Sequence, residues 1–320
     1  MLATHPKVVV IVLTWNSKND IIECLRSLRL LKYPNYEIIV VDNASTDGTP
    51  NIVKGSFPDV TLIINKKNLG FGGGFNVGIK EALRRKADYI ICLNADTVVD
   101  EHFLLELIKV GELSEKIGGL CPIAYYYDQP NRINGVGGIV RIIRPKVFGC
   151  GEIDKGQYSK IKETRMLCGP ALVLKRKALL NIGFFDTEYY FGPEDMDIAL
   201  RLLKSGYKIL LVPRAKLWHK TRGATGRRIT QLNVYFSIRN RLLFARKHAS
   251  KLEFMLFLIY FFIFEFPITL FRILIFYGKD CVRAAAKGVL WHINRKLLFP
   301  DDKMVEYLTR TVKKLKKEMS

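Results

Sequence analysis

Residues 7–16 of the chain are KVVVIVLTWN, and their apolar run, Val8–Leu13, is uninterrupted and mostly β-branched. Such a run is typical of a strand that is buried on both faces of a sheet. Apolar residues at helical spacing follow in Asp20–Leu31, and a second strand is predicted at Tyr36–Val41. Because the run lacks a small-residue cleavage site and ends in a polar Thr-Trp-Asn triplet, it predicts a first strand and not a signal peptide.

The alternation of strands and helices continues to about residue 110. The pattern predicts strands at Val60–Ile64, Tyr89–Leu93 and Gly119–Tyr127, and helices at Asn76–Arg85 and Glu101–Val110. This order favours an α/β fold with a mixed, mostly parallel sheet flanked by helices. Residues 128–165 are rich in glycine and basic residues, which predicts a loop or ragged β region. Order resumes at 168–174, and a helix is predicted from residues 193–197 to Ser205, with Gly206 as its C-cap.

Charge is distributed unevenly along the 320 residues, whose formal net charge is +21. Residues 1–200 carry 25 basic and 23 acidic side chains, whereas residues 201–320 carry 26 basic and 7 acidic ones. A strongly basic last third indicates a polyanionic partner, either nucleic acid or the anionic cytoplasmic leaflet of a membrane. The six cysteines form no C-x-x-C pair, so zinc-ribbon and thioredoxin chemistry lack support and buried free thiols are expected.

The last third also contains a long apolar segment, residues 254–277, interrupted by Glu265, Pro267 and Arg272. Its length fits a kinked membrane span, a re-entrant hairpin or a helix in the membrane plane. Residues 303–320 predict a basic amphipathic helix, which is either a membrane-surface helix or an ordinary surface helix. We therefore expect a site-bearing domain over residues 1–248 and a membrane-association region over residues 249–320.

Polar residues follow three of the predicted strands. They are Thr14 and Asn16, Asp42, and the pair Asn94 and Asp96. Because ligands bind beyond the carboxyl ends of parallel strands, these residues are expected to face one crevice. A carboxylate such as Asp96 suits Mg²⁺ or Mn²⁺ holding a diphosphate, and His219 is a candidate further ligand. The plainer alternatives are a helix cap for Asp96 and a structural role for His219.

The stretch Asn68–Asn76, NLGFGGGFN, is rich in glycine but is not a dinucleotide-binding motif. The G-x-G-x-x-G frame fails because Phe75 and Val77 occupy the last glycine position, and the stretch follows the third strand, not the first. The chain also lacks a P-loop motif. The stretch is predicted as a flexible loop that leads into a helix N-terminus, where backbone N–H groups approach a phosphate or ribose, or else as a plain turn.

Glu194, Asp195 and Asp197 lie in the first turn of a predicted helix. Acidic residues in the first turn commonly interact favourably with the helix dipole. An ionised carboxylate at this place also suits a general base. Glu194 and Asp197 share a face, and Asp195 points elsewhere. We therefore expect only some of the three to enter the crevice.

Seven stretches, in this order, resemble the family 2 glycosyltransferases, especially their rhamnosyltransferase-like branch. They are VVVIVLTWNS, VVDNASTDGT, NLGFGGGFNVG, LNADT, GPEDMDIALRLLKSGY, LWHK and YFSIRNRLLFARKH, spanning roughly residues 7–248. The resemblance implies a GT-A fold, an inverting transfer of a sugar from a nucleotide-sugar, and a divalent metal, Mn²⁺ or Mg²⁺. It implies a lipid-linked or polysaccharide acceptor.

The resemblance also implies roles for the nucleotide-binding residues. Asp42 would recognise the base, with Thr14 and Asn16 lining the same pocket. The remaining nucleotide contacts would come from Asn68, Gly70, Gly74 and Asn94. Asn94 stands where the family's D-x-D motif has its first Asp, so it would bind a ribose hydroxyl but add no charge for a metal.

For catalysis, the resemblance implies that Asp195 takes the proton from the acceptor hydroxyl and that Glu194 supports it. Asp96 and His219 would hold the metal. Arg239 and Arg241 stand where basic residues would meet a diphosphate or a lipid-linked acceptor. The expected location is the cytoplasmic face of the cell membrane, peripheral or integral through residues 254–277.

Three alternatives remain at this stage. A polyprenyl-phosphate sugar synthase shares the fold but uses a lipid phosphate as acceptor. A nucleotidyltransferase would carry a basic, phosphate-binding loop after the first strand, where this chain has Thr14–Ser17. A nucleic-acid-binding protein would explain the basic charge but not the apolar segment, so we expect a membrane surface and not nucleic acid as the partner.

Overall fold

The computed structural model describes residues 5–221 and 230–293, which form two compact units. Of these residues, the first unit holds 5–188 and 194–221, and the second holds 189–193 and 230–293. The expected boundary at residue 248 separates a site-bearing domain from a membrane-association region, and this functional division stays a prediction. In the structure, the helix that ends at His248 belongs to the second unit.

The first unit is a mixed α/β structure built on one large sheet. Its strands are β1 (Val8–Thr14), β2 (Tyr36–Asp42), β3 (Thr61–Ile64), β4 (Tyr89–Asn94), β5 (Thr97–Val99), β6 (Ile117–Tyr126), β7 (Gln129–Gly135), β8 (Gly138–Ile139), β9 (Lys146–Val147), β10 (Lys162–Thr164), β11 (Ala171–Lys175) and β12 (Lys208–His219). Its helices are α1 (Asp20–Arg29), α2 (Thr49–Ser56), α3 (Gly70–Arg84), α4 (Phe103–Gly111), α5 (Arg176–Ile182) and α6 (Glu194–Lys204).

The large sheet has the strand order β10-β12-β6-β11-β4-β1-β2-β3, with β5 on β12 and β7 on β6. Strands β8 and β9 form a separate two-stranded sheet. Strand β1 pairs in parallel with β2 and β4, whereas β11 is antiparallel to both of its neighbours. Residues Val8–Val12 are fully buried because helices cover both faces of the central strands. The predicted mostly parallel α/β fold is therefore confirmed, and the ragged region 128–165 contains the short strands β7 to β10.

Helix α3 begins earlier than predicted. The expected loop over 68–76 is wrong, because the structure makes residues from Gly70 onward helical. A Cβ atom on Gly74 would overlap Leu13 Cδ1 and lie 2.8 Å from Asn43 Nδ2. The glycines thus let α3 lie directly on β1 and the strand end beside it, and this packing outweighs their low helix propensity.

The second unit is helical, with α7 (Gln231–His248), α8 (Lys251–Tyr260), a π-helical turn (Phe261–Glu265), α9 (Phe266–Tyr277) and α10 (Lys279–Ile293). Capping boxes start α7 at Thr230 and α8 at Ser250. Helix α10 packs closely on α7, since a Cβ on Gly288 would lie 2.9 Å from the carbonyl oxygen of Tyr235.

We call the continuous segment Lys251–Tyr277, from α8 through α9, the apolar helix. Among the described residues, it is the one helix whose 27 residues are long and apolar enough to cross a membrane. Because it is continuous, it is not a re-entrant hairpin. The predicted amphipathic helix over 303–320 lies outside the described residues.

Candidate active site

Three of the predicted site residues occupy adjacent register positions at the carboxyl edge of the parallel strands. Thr14 pairs with Asp42 across β1 and β2, and Leu13 pairs with Asn94 across β1 and β4. Thr14 and Asp42 are buried. Their Oγ1 and Oδ1 atoms have no hydrogen-bond partner within the described chain. Since buried polar atoms are nearly always paired, these two oxygens are candidate contacts for a polar ligand.

The loops after β1 and β2 are bound to each other. Asp42 Oδ2 accepts a hydrogen bond from the Ser45 N–H (2.8 Å), and Ser45 Oγ accepts one from the Asn16 N–H (2.8 Å). Asn16 adopts a φ of 52° and accepts a hydrogen bond from the Thr46 N–H at its Oδ1 (2.8 Å). Asn16 thus holds the loop after β1 against the loop after β2, beside Asp42.

The start of α3 is attached to the same strand ends. Asn68 Oδ1 accepts a hydrogen bond from the Gly70 N–H (2.8 Å), and Asn43 Nδ2 donates one to the Gly70 carbonyl (2.9 Å). Gly70 has a φ of 75°, a conformation that glycine adopts at little cost. These contacts and the packing of Gly74 give the glycine-rich stretch a structural function, and its nucleotide contacts stay a prediction.

Asp96 and His219 lie side by side. His219 Nε2 is 3.2 Å from Asp96 Oδ1, because β12 pairs with β5 and places His219 opposite Thr97. His219 Nδ1 is buried and has no hydrogen-bond partner among the described residues. Both side chains keep partial solvent access.

One carboxylate oxygen and one imidazole nitrogen suit a divalent metal whose remaining ligands are diphosphate oxygens and water. The described residues contain no group of three or more His, Cys, Asp or Glu side chains that would hold a metal by themselves. The donor set at Asp96 and His219 therefore fits a metal that binds together with a nucleotide diphosphate. Asn94, at the end of β4, adds no charge to this set.

Asp195 lines a cavity of about 160 Å³ in the first unit. The walls come from strand β6, the β7–β9 region and the segment before β11, through Ala124, Asn134, Gly135, Gly137, Val147, Met166, Leu167, Cys168, Gly169 and Pro170. Asp195 Oδ1 accepts a hydrogen bond from the Met196 N–H (2.8 Å). Its Oδ2 lies 3.4 Å from the position of a Cβ on Gly169, so that glycine leaves room beside the carboxylate.

Burial among these mostly apolar walls raises the pKa of Asp195 to about 6. A carboxylate with this pKa is still largely ionised at neutral pH and is a stronger base than an exposed aspartate. Such a pKa, close to the working pH, is what proton transfer from a hydroxyl group requires.

The neighbouring acids have other positions. Glu194 is buried, and Asp197 Oδ2 accepts hydrogen bonds from Arg201 Nη2 (2.6 Å) and Nε (2.9 Å). Arg201 also donates to the carbonyls of residues 182–184, so Asp197 and Arg201 fix the segment that leads toward α6. Asp195 is thus the one of the three acids that lines the cavity.

Sequence reasoning missed the support that α3 gives to the segment before α6. Asn76 Nδ2 donates to the Phe185 carbonyl (2.8 Å), and Asn76 Oδ1 accepts from the Phe185 N–H (3.0 Å). Gly72 lies against the same residue, since a Cβ there would be 2.9 Å from Phe185 Cβ. The repeated glycines of the stretch were the only sequence signal of close packing there, and they do not indicate which residues α3 packs against.

The expectation for Arg239 is wrong, because that side chain is fully buried in the second unit. Its guanidinium carbon lies 4.7 Å from the centre of the Trp291 ring, and its Nε donates to Asn240 Oδ1 (3.0 Å). Arg241 Nε donates to Glu265 Oε1 (3.0 Å). Both arginines hold helices together.

The Glycosyl transferase family 2 model matches residues 9–183, more than half of the chain, so this protein belongs to the family 2 glycosyltransferases. It is 28% identical over 209 residues to the poly-beta-1,6-N-acetyl-D-glucosamine synthase of Staphylococcus epidermidis, covering 64% of this chain and 47% of that protein. The corresponding Staphylococcus aureus (strain MSSA476) synthase is 26% identical over 206 residues, with the same coverage. The chain spans about half the length of these relatives.

Solved structures share the fold. The mannosyltransferase PcManGT from Pyrobaculum calidifontis, in complex with GDP-Man and Mn²⁺, superposes with a TM-score of 0.55 at 17% identity, over 97% of this chain and 81% of that one. S. aureus TarS 1–349 in complex with UDP-GlcNAc gives 0.57 at 18% identity, over 88% and 80%. These likenesses show the GT-A fold, and the family model places the chain among the family 2 glycosyltransferases.

Proposed function

We propose that this enzyme transfers a sugar, with inversion, from a nucleotide-sugar to a hydroxyl group of a lipid-linked or polysaccharide acceptor. The observation that carries the proposal is the Asp195 carboxyl group, which lines the cavity of the first unit with a pKa raised to about 6. We assign Asp195 as the general base, with buried Glu194 supporting the helix start beside it.

The reaction needs one proton transfer and one displacement. The Asp195 carboxylate accepts the proton of the acceptor hydroxyl, and the oxygen forms a bond to the anomeric carbon of the donor sugar. The bond from that carbon to the nucleotide diphosphate breaks, and the diphosphate leaves from the opposite face with the electron pair. Attack from the opposite face inverts the anomeric configuration.

The nucleotide would be held at the carboxyl edge of β1, β2 and β4. Asp42 would accept a hydrogen bond from the base, and Thr14 and Asn16 would line the same pocket. Thr14 Oγ1 and Asp42 Oδ1 have no hydrogen-bond partner among the described residues, which supports this placement. Asn94 would bind the ribose, and the stretch from Asn68 through Gly70 to Gly74 would support the nucleoside. Asp96 and His219 would hold a Mn²⁺ or Mg²⁺ ion, which when bound would neutralise charge on the diphosphate.

The relatives guide the choice of donor to be tested first. The named synthases make a polymer of N-acetylglucosamine, and the TarS structure contains UDP-GlcNAc. We therefore place a UDP-sugar ahead of the deoxysugar donors that a rhamnosyltransferase-like branch would use. We also propose that the apolar helix and the basic last third bind the enzyme to the cytoplasmic face of the membrane.

The test is a donor panel with the purified full chain. UDP-, GDP- and dTDP-sugars are incubated with and without Mn²⁺, first alone and then with polyprenyl-diphosphate-linked sugars, glycans or polyprenyl phosphate. We expect one nucleotide class to bind with metal and the product to have the inverted anomeric configuration by NMR. Glycosylation of polyprenyl phosphate alone would instead identify a polyprenyl-phosphate sugar synthase.

Two variants complete the test. Asp195→Asn is expected to lower transfer by roughly 10²–10⁴-fold and to keep donor binding. Glu115→Gln, at an exposed carboxylate of the same unit, should change neither. Full turnover by Asp195→Asn would refute the base assignment, and retention of configuration would refute the inverting mechanism.

A further inference from the structure

The apolar helix has one narrow buried stripe. Phe257, Phe261 and Ile273 are buried along its length. In a straight α-helix, Phe261 and Ile273 would differ by about 120° in direction, because each residue turns by roughly 100°. The π-helical turn Phe261–Glu265 adds one residue and removes most of that difference. The turn therefore keeps a single stripe facing the unit and a single broad face turned away from it.

The broad face is exposed and apolar from one end of the helix to the other. Its large side chains are between 45% and 71% exposed. They include Leu252, Met255, Leu256, Ile259, Phe262, Ile263, Phe264, Ile268, Phe271, Leu274, Ile275 and Phe276. A contiguous exposed surface of this kind marks an interaction site, because soluble proteins rarely leave so much apolar area in water.

The buried side of the same helix carries a charged residue at its centre. Glu265 stands one position from the midpoint of Lys251–Tyr277, and its Oε1 accepts a hydrogen bond from Arg241 Nε of α7 (3.0 Å). The Arg241 guanidinium also lies 4.7 Å from the centre of the Phe257 ring. Helix α7 is thus bound to the middle of the apolar helix.

Neither helix that accompanies the apolar helix has the composition of a membrane-spanning segment. Helix α7 ends in the basic run Arg246–His248. Helix α10, which packs on α7, carries four charged side chains among its 15 residues, at Lys279, Asp280, Arg283 and Lys287. Placing the apolar helix across a bilayer would carry the Glu265–Arg241 pair and part of α7 to the bilayer centre, where charged side chains are costly.

We propose that the apolar helix lies parallel to the membrane plane, with its exposed face embedded in the acyl boundary of an anionic leaflet and both of its ends on one side. This rests on the membrane association proposed above and not on the sugar transfer. An in-plane helix buries one apolar face to a depth of roughly 5–10 Å and leaves its other side at the aqueous interface. That arrangement leaves the Glu265–Arg241 pair, α7 and α10 outside the hydrocarbon.

Charge favours an anionic leaflet as the occupant of this face. Lys251 is the first residue of the apolar helix, Arg272 lies within it and Lys279 follows its end. All three side chains are exposed. Their long side chains can extend to phosphate groups while their aliphatic parts stay with the apolar surface. The net positive charge of residues 201–320 adds attraction to acidic lipids.

The first experiment locates the two ends of the helix. The exposed Cys150 is replaced by serine, and Lys251→Cys and Lys279→Cys are made separately in the full chain. The other five cysteines are buried, which limits their reaction. Protein bound to vesicles of phosphatidylcholine and phosphatidylglycerol is treated from outside with a membrane-impermeant maleimide. We expect both positions to be labelled equally, whereas protection of one end would show a spanning helix and overturn the proposal.

The second experiment measures depth. Nitroxides at Leu252, Ile263 and Ile275, on the exposed face, are compared for collision with lipid-soluble oxygen and with a water-soluble nickel complex. An in-plane helix gives similar depths at all three, and a spanning helix makes Ile263 by far the deepest. A label at buried Phe257 is the control and should sense neither reagent strongly.

Two further outcomes separate this proposal from the others. Dipolar broadening between nitroxides, with little contact with oxygen, would show a second copy of the chain on this face and would overturn the proposal. Failure to bind vesicles would overturn it together with the proposed membrane association. Donor turnover measured in detergent depends neither on the orientation of the apolar helix nor on vesicle binding. Absence of turnover there would therefore refute the proposed enzymatic function and leave the membrane proposals unaffected.

Discussion

Nε2 of His219 lies 3.2 Å from Oδ1 of Asp96, although 123 positions separate the two residues in the chain. The pairing of β12 with β5 brings them together at the edge where the parallel strands end. A nitrogen and a carboxylate oxygen at this separation share either a proton or a cation. The buried Nδ1 has no hydrogen-bond partner in the described chain, so the imidazole is not oriented by a second hydrogen bond.

If the pair shares a cation, Asp96→Ala and His219→Ala will each weaken Mn²⁺-dependent donor binding by about tenfold or more, because each removes a direct ligand. Calorimetry with donor, and the EPR signal of Mn²⁺, measure this without turnover. The matched control is His102→Ala, which removes an exposed histidine whose Nδ1 is 3.6 Å from Asp100. Unchanged Mn²⁺ binding in both site variants would assign the pair a purely structural role.

The raised pKa of Asp195 predicts how turnover depends on pH. Because the carboxyl must be ionised to accept a proton, we expect the rate to be constant well above pH 6 and to fall about tenfold per unit below it. In Asp195→Asn, we expect transfer to fall by roughly 10²–10⁴-fold and this limb to disappear. A variant that keeps the same acid limb at lower activity would show that another group titrates.

The same pKa predicts an effect on stability. The folded state raises the pKa of Asp195 to about 6, compared with about 3.9 in an unfolded chain, so folding disfavours the charged form. This penalty is absent below pH 4 and fully present above pH 6. Asp195→Asn is therefore expected to gain up to about 2–3 kcal/mol in the free energy of unfolding at pH 8, and nothing at pH 4.

Urea unfolding of the two proteins at both pH values measures this difference. Asp59→Asn is an opposite-sign control, because the hydrogen bond from Arg29 lowers the pKa of that exposed carboxyl. Its substitution should give a small loss of stability at pH 8. A gain for Asp195→Asn that is equal at both pH values would mean that burial of the charge is not its cause.

The close packing of α3 on β1 predicts that a side chain at Gly74 destabilises the protein. Gly74→Ala is expected to lower the free energy of unfolding by about 1–3 kcal/mol, because the new methyl group would overlap Leu13 and approach Asn43. Gly55→Ala in α2 is the matched control, since no atom of the described residues lies within 4 Å of its Cβ position. That change should stabilise the protein by roughly 0.5–1 kcal/mol. Equal effects at the two positions would contradict the packing argument.

Much of the fold was predictable because its signals are local. The β-branched runs at β1 and β2 and the apolar spacing in α1 follow from short stretches of sequence, and the predicted bounds differ from the observed ones by one or two residues. The start of α3 was not predictable in this way. Glycines disfavour a helix locally, and only the contacts of Gly72 with Phe185 and of Gly74 with Leu13 explain why one forms.

The sequence by itself determined the family, the mostly parallel sheet and the polar strand ends, because these depend on residue types at fixed short spacing. Tertiary structure alone decided which acid of the Glu194–Asp197 group lines a cavity, since the cavity walls come from β6, the β7–β9 region and the segment before β11. It also decided that Arg239 is buried and that Glu265 binds Arg241. Burial depends on residues far apart in the chain, and it raises the pKa of Asp195. The Glu265–Arg241 pair likewise joins two helices and is the observation from which we propose the orientation of the apolar helix.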